Sequence, residues 1–348
     1  MPAYAAQASQ PDILHACLEV LPHGNAVDAV VAGVLAAAAL WPSVLLGPVQ
    51  MLIGGAGAGE RAVDGRPRQP GLGAPRPRGF LPNDGVPGAA RVAVPALPAA
   101  LAAALATSGT LPWARAMGPA VELAKIHSEP RRRLLKRLGQ VGPSGLAEAA
   151  IAQELIAAGG RVEGGLLTQE DLERVRPEVL AAEQGRGPAP FFVVPWGARA
   201  VLEEAPSVDA HGVSAVAAAD GRGQVAVACF EVRGEGVAVP ELGLEAPPFA
   251  TPVLRGQPRV RPGAPRTVAA PIALLHTDGT LDTALGLGGL SEAEVLLGEL
   301  VRAVGRGAPL EEALRAPRGG AEGARRGQVR GVVRTRRDAR AFVDGRPG

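Results

Sequence analysis

The sequence predicts a layered α+β protein, and three observations carry that expectation. Apolar residues recur at helical spacing through most of the first 175 positions. From about residue 190 the pattern changes to short apolar runs broken by glycine and proline, at 191–195, 213–219, 224–232, 268–276 and 280–287. A helical pattern then returns in "SEAEVLLGELVRAVGRG", with Ser291 as its cap. Helices, then strands, then a helix suit packed layers better than alternating βαβ units.

Taken in order, Pro11 to Leu21 reads as a first helix. "HGNAVDAVVAGVLAAAAL" starts a second, with Asn25 as N-cap and Asp28 three residues later. Small apolar residues all round mark this second helix as central. Val49–Ile53 and Glu60–Asp64 form a hairpin across a glycine-rich turn. Residues 67–90, rich in Pro, Gly and Arg, read as a surface loop. The stretch that follows gives two helices joined at Gly109. "EPRRRLLKRL" reads as a short basic helix with a solvated face, and "SGLAEAAIAQELIAAGG" as an amphipathic helix ended by glycine. Thr168 caps a further short helix with Asp171 at N3.

Composition narrows the function classes. With 348 residues and 47% hydrophobic content, the chain buries a substantial core. The net charge of +2 comes from 36 basic and 34 acidic residues and provides no field for nucleic acid or a membrane surface. Asp28, Pro42 and Pro48 interrupt the apolar stretch 26–53, which argues against a transmembrane helix. Cys17 and Cys229 are too few for a disulfide framework or a CxxC metal site. His15, His23, His127, His211 and His276 lack ligand spacing, so neither a metal nor a cofactor is predicted. The glycines of "GGAGAG" are followed by no Lys-Ser/Thr, and no G-x-S-x-G elbow is present. No signal peptide is visible, and the expected location is cytoplasmic. No internal repeat and no sharp boundary divides the chain, so one domain is expected.

Several stretches resemble the γ-glutamyltranspeptidase family of N-terminal-nucleophile hydrolases. "HGNAVDAVVAGVLAAA" at 23–38 is similar to that family's GGNAVDAAVAAALA, and "QMLIGGAGAGERAVDGR" at 50–66 to its FMLV…DGRE hairpin. "RVAVPALPAALAAAL" at 91–105, "GTLPWARAMGPAVELA" at 109–124 and "GGLLTQEDL" at 164–172 follow in the family's order. "TRRDARA" at 335–341 resembles its closing DPRRDGAA more weakly, which makes the basic C-terminus family scaffold. The resemblance implies a four-layer αββα sandwich. It also implies self-cleavage into two chains, here a large-chain-like 1–212 and a small-chain-like 213–348. The nucleophile would become the new N-terminus, with its α-amine as base.

The family's cleavage motif, HG-TTHxSVxDxxGNAVA, meets "HGVSAVAAADGRGQVAVA" from His211 without a gap. The nucleophilic threonine falls on Val213, the next threonine on Ser214 and the histidine on Ala215. Valine keeps threonine's shape and lacks its oxygen, so no acyl-enzyme forms there. Other carried-over positions are Arg66 for the substrate α-carboxylate and Gly288 with Gly289 for the oxyanion hole. The family's substrate asparagine falls on Arg233 and its Ser-Ser-Met on Thr267, Val268 and Ala269. The segments after "RPE" and "AKIHSEP" are far shorter than the family's, and its "SGIGGGG" has become "VLLGPV".

The expectation is an unprocessed, γ-glutamyltranspeptidase-like protein without the family's transfer activity, holding a small γ-glutamyl or amino-acid-like ligand through Arg66. The alternatives are an amide hydrolase that uses Ser214 and a γ-glutamyl hydrolase whose activity survives by another route. A homo-oligomer or a paralogue partner is compatible with either outcome. The objection to Ser214 is geometric, because one step along a strand turns the side chain to the other face.

Overall fold

The computed structural model describes residues 4–55, 59–81, 84–185, 189–203, 208–276, 282–289, 292–315, 328–334, 338–343 and 346–347. Ser291 and the first part of the 335–341 motif lie outside the described residues. The chain opens with β1 (Ala5–Ala8), α1 (Pro11–Val20) and α2 (Ala26–Leu40), then the hairpin β2 (Val49–Gly55) and β3 (Arg61–Gly65). A helical stretch follows: α3 (Leu97–Ser108), α4 (Trp113–His127), α5 (Glu129–Val141), α6 (Ala149–Gly159) and α7 (Gln169–Glu173). Next come β4 (Glu178–Ala181), β5 (Glu183–Gly185), β6 (Phe191–Val193) and α8 (Ala198–Leu202). The strand-rich part holds β7 (Val213–Ala219), β8 (Gln224–Glu231), β9 (Val237–Val239), β10 (Leu244–Ala246), β11 (Ile272–His276) and β12 (Asp282–Gly288). Helices α9 (Ala293–Gly305) and α10 (Leu310–Arg315) precede β13 (Gln328–Arg334), β14 (Ala339–Val343) and β15 (Arg346–Pro347).

Two antiparallel sheets lie face to face. One has the order β1-β7-β8-β2-β3-β4 and the other β15-β14-β13-β12-β11-β6-β5. One apolar core sits between the first sheet and α1–α6, with Val30, Leu35, Leu101, Met117, Val216 and Phe230 among its members. A second fills the space between the sheets and extends to α8 and α9, through Val213, Val227, Leu285, Leu297 and Val301. The layers are therefore helix, sheet, sheet, helix, the αββα sandwich that the resemblance implies.

Local chemistry explains the central elements. Asn25 and Asp28 form a reciprocal capping box at the start of α2, and Thr168 with Asp171 form another at α7. Helix α2 is buried from Ala26 to Ala39, which accounts for its small residues. A Cβ on Gly33 would lie 2.6 Å from Cys17 Sγ and 3.0 Å from Val216, so glycine lets α1, α2 and β7 meet. A Cβ on Gly286 would reach within 2.6 Å of Ala215, which lets the two sheets close on each other.

The solvated face expected for the basic helix is present at Arg133, Lys136 and Arg137, but Arg131 departs from it. On α5, Arg131 is buried, and its guanidinium donates to Ala39 O at 2.7 Å and Gly243 O at 3.0 Å. It ties the end of α2 to the loop before β10 instead of facing water. Strand β11 also starts at Ile272, four residues later than the apolar run, because the Ala270 N–H turns to the Glu294 carboxylate at 2.8 Å. Among the described residues, no helix is long and apolar enough to cross a membrane.

Candidate functional site at the start of β7

Val213 is the first residue of β7, follows the tight turn at His211–Gly212, and is 6% exposed. Its N–H donates to Ala210 O at 2.9 Å, and its carbonyl accepts from Gly289 N at 3.1 Å. A Cβ on Gly288 would stand 2.7 Å from that same carbonyl, so β12 can approach β7 here only as glycine. Gly289 adopts φ +77°, which favours glycine in its own right. The two glycines singled out in the sequence thus lie beside Val213, with the Gly289 N–H engaged by the Val213 carbonyl.

Strand alternation decides the direction of the neighbouring side chains. Val213, Ala217 and Ala219 belong to the core between the sheets, whereas Val216 and Ala218 pack with α2. Ser214 shares the face of Val216 and therefore points away from the intersheet space. Cys229, opposite Ala215, belongs to the intersheet core, and its thiol is pushed far above the usual range by burial, with Glu294 and Glu231 adding to the effect. Such a thiol is not a nucleophile at neutral pH.

Pairing register aligns the remaining residues. Val213 faces Glu231 across β7 and β8, Phe230 faces Val49, and Val49 faces Gly65. Arg66 follows immediately, at the same end of the sheet. Its Nε and Nη2 donate to the two Asp64 carboxylate oxygens, each at 2.9 Å, and its guanidinium stacks 4.6 Å from the centre of the Trp196 ring. Arg68 Nη2 reaches the same carboxylate at 3.1 Å. Burial alone would raise the Asp64 carboxyl, but the Arg66 hydrogen bonds and the two guanidinium charges outweigh it and hold it below its usual range. Three of the five Arg66 guanidinium N–H groups are not directed at Asp64.

Arg233 is paired with the carboxylate of Glu231, the residue opposite Val213, and lies 5.3 Å over the Phe249 ring. Burial raises the Glu231 carboxyl despite that pair. Thr267 is exposed in the loop ahead of β11, while Val268 and Ala269 beside it are buried.

Solved structures align with nearly the whole chain. LmbA2991T421A and LmbA2991HD each match with a TM-score of 0.74 and 16% identity, over 98% of this chain and 97% of the other. Cephalosporin acylase from Bacillus halodurans matches with 0.73 and 16%, over 97% and 95%. The fold is that of the N-terminal-nucleophile hydrolases. No family model and no curated protein matches the sequence.

Within this N-terminal-nucleophile hydrolase fold, the start of β7 carries a valine. Glu294, on the first turn of α9, is 2% exposed and accepts from Ala270 N at 2.8 Å and Val208 N at 3.4 Å. Its carboxyl is raised by burial, the two N–H donors offsetting only part of that. Among the described residues, no cluster of three or more His, Cys, Asp or Glu could hold a metal. Sequence reasoning missed Asp64, Trp196, Glu231 and Glu294. Only Asp64 had a local signal, the DGR triplet; Glu231 comes in across the β7–β8 pair, Trp196 from the turn before α8 and Glu294 from the first turn of α9.

Proposed function

We propose that this chain is an unprocessed, γ-glutamyltranspeptidase-like protein that lacks acyl-transfer activity and keeps a carboxylate-binding position at Arg66. The observation that carries this reading is Val213, a residue with no side-chain oxygen or sulfur, at the head of β7 beside Gly288 and Gly289. Acyl transfer in this fold needs a hydroxyl or thiol and a free α-amine on the same residue, and valine supplies neither while the chain is whole. Ser214 is a poor substitute, because its side chain shares the α2 face with Val216. Arg66 is oriented by Asp64 and Trp196 and suits the α-carboxylate of a small amino-acid-like ligand. The two free, buried cysteines are compatible with a reducing, cytoplasmic setting.

The test combines intact mass with turnover. The purified protein is expected as one chain of 35.3 kDa, with no release of aniline from a γ-glutamyl anilide. A second chain that begins at Val213 or Ser214, or turnover abolished by Ser214→Ala, would overturn the proposal.

A further inference from the structure

The geometry points to a second ligand site, remote in sequence from the β7 turn, which binds an organic oxyanion with an apolar body. It is a cavity of about 560 Å³ between the 73–80 loop and the 161–168 segment. That volume lies within the roughly 300–1,000 Å³ typical of small-molecule sites. Its walls carry Arg76 and Arg78 from one side and Arg161 from the other, and no carboxylate. None of these three guanidiniums has an ion pair or hydrogen bond with another described residue. Elsewhere the arginines of this chain commonly find acids: Arg66 with Asp64, Arg132 with Glu129, Arg137 with Glu148 and Arg233 with Glu231. The acids near the cavity are otherwise disposed. Glu170, packed against Gly73, pairs with Arg174 at 2.9 Å, and Glu163 lines a neighbouring groove with Glu154 and Glu241.

The rest of the lining sets the other half of the ligand. Phe80, Leu166, Leu167 and Val253 supply an apolar floor. The Thr168 hydroxyl is already spent on Leu72 O at 2.8 Å and Asp171 at 3.0 Å. The walls are fixed before any ligand arrives. Asp171 accepts from Gly71 N at 2.8 Å and Leu72 N at 2.9 Å, so the capping box of α7 also anchors the loop. Phe80 N donates to Val253 O at 2.9 Å, and Arg255 N to Phe80 O at 2.8 Å. Gly73, Gly79 and Gly164 take φ of +66°, +77° and +85°, backbone that side-chain-bearing residues rarely adopt. Three exposed arginines around an apolar floor match a carboxylate or phosphate monoester on an aryl or alkyl group, held by guanidinium hydrogen bonds.

Isothermal titration of the full chain with phenyl phosphate, 3-phenylpropionate and benzamidine tests this directly. One saturable site is expected for one or both anions and none for the benzamidinium cation, and the two anions separate phosphate from carboxylate preference. Arg76→Gln, Arg78→Gln and Arg161→Gln are each expected to weaken binding by about tenfold, the loss of one charged hydrogen bond. Hydrogen exchange on the wild-type chain should show protection by the anion at 73–80 and 161–168, a readout that needs no variant. Absence of saturable anion binding, equal binding of benzamidine, or protection confined to other segments would overturn the site. Arg66→Gln should leave this binding unchanged, so failure here and failure at the β7 site are separate outcomes.

Discussion

Val213 carries no polar side-chain atom, so the core between the sheets closes over it as over any apolar strand residue. The cost of charge in that core is carried by Glu294. Its folded carboxyl is raised above the ordinary 4.5 by burial, so the folded state holds the proton more tightly than the unfolded state. The sign follows: below about pH 4.5 both states are protonated, and stability falls as pH rises toward the folded value. Glu294→Gln keeps an oxygen for the Ala270 N–H and removes the ionisation. In urea unfolding between pH 4 and 8, the variant should gain on the wild type as pH rises. A difference independent of pH would mean that Glu294 does not titrate across this range. Asp64 runs the opposite way, since its lowered carboxyl contributes stability above the ordinary 3.8 that is lost as pH falls through the folded value.

At the scale of elements, the tight turn between β7 and β8 is built by Asp220, a position the sequence matched to the family's cleavage motif. Its carboxylate accepts from Arg222 N at 2.8 Å and Gln224 N at 3.0 Å, and from Ala26 N at 3.1 Å in the first turn of α2. One side chain therefore fixes both the turn and the seating of the central helix. Asp220→Ala strands the buried Ala26 N–H and should lower stability by about 2–3 kcal/mol. A loss under about 0.5 kcal/mol by chemical denaturation would show that water replaces it. Caps and tight turns of this kind were legible in the sequence because their donors and acceptors sit within a few residues of each other. Asn25 with Asp28 and Thr168 with Asp171 are the clearest cases. Strands β4, β5 and β14 were not legible, because they are short or exposed and carry charge, and only their sheet partners reveal them. Arg131 was misplaced for the same reason: its acceptors, Ala39 O and Gly243 O, are about 90 and 110 residues away.

For the whole molecule, both sheets are assembled from both halves of the chain. In the first sheet β7 and β8 stand between β1 and β2, and in the second β11 pairs with β6, which precedes residue 212. The candidate site shares this origin. Val213, Gly288 and Arg66 were visible one by one through motifs, but the engagement of Gly289 N–H by Val213 and the Trp196 stack on Arg66 arise only when the sheets close. Residues 1–212 alone would leave β1 and β2 with unpaired edges and expose the apolar faces of both sheets. We expect the intact chain to unfold in one cooperative transition, and 1–212 expressed alone to be insoluble or unfolded, whereas co-expression with 213–348 should recover soluble material. If 1–212 folds alone with native-like exchange protection of α2, the interleaved strands do not set the cooperativity of the molecule. In that case the helical layer would be an independent unit onto which the second half docks.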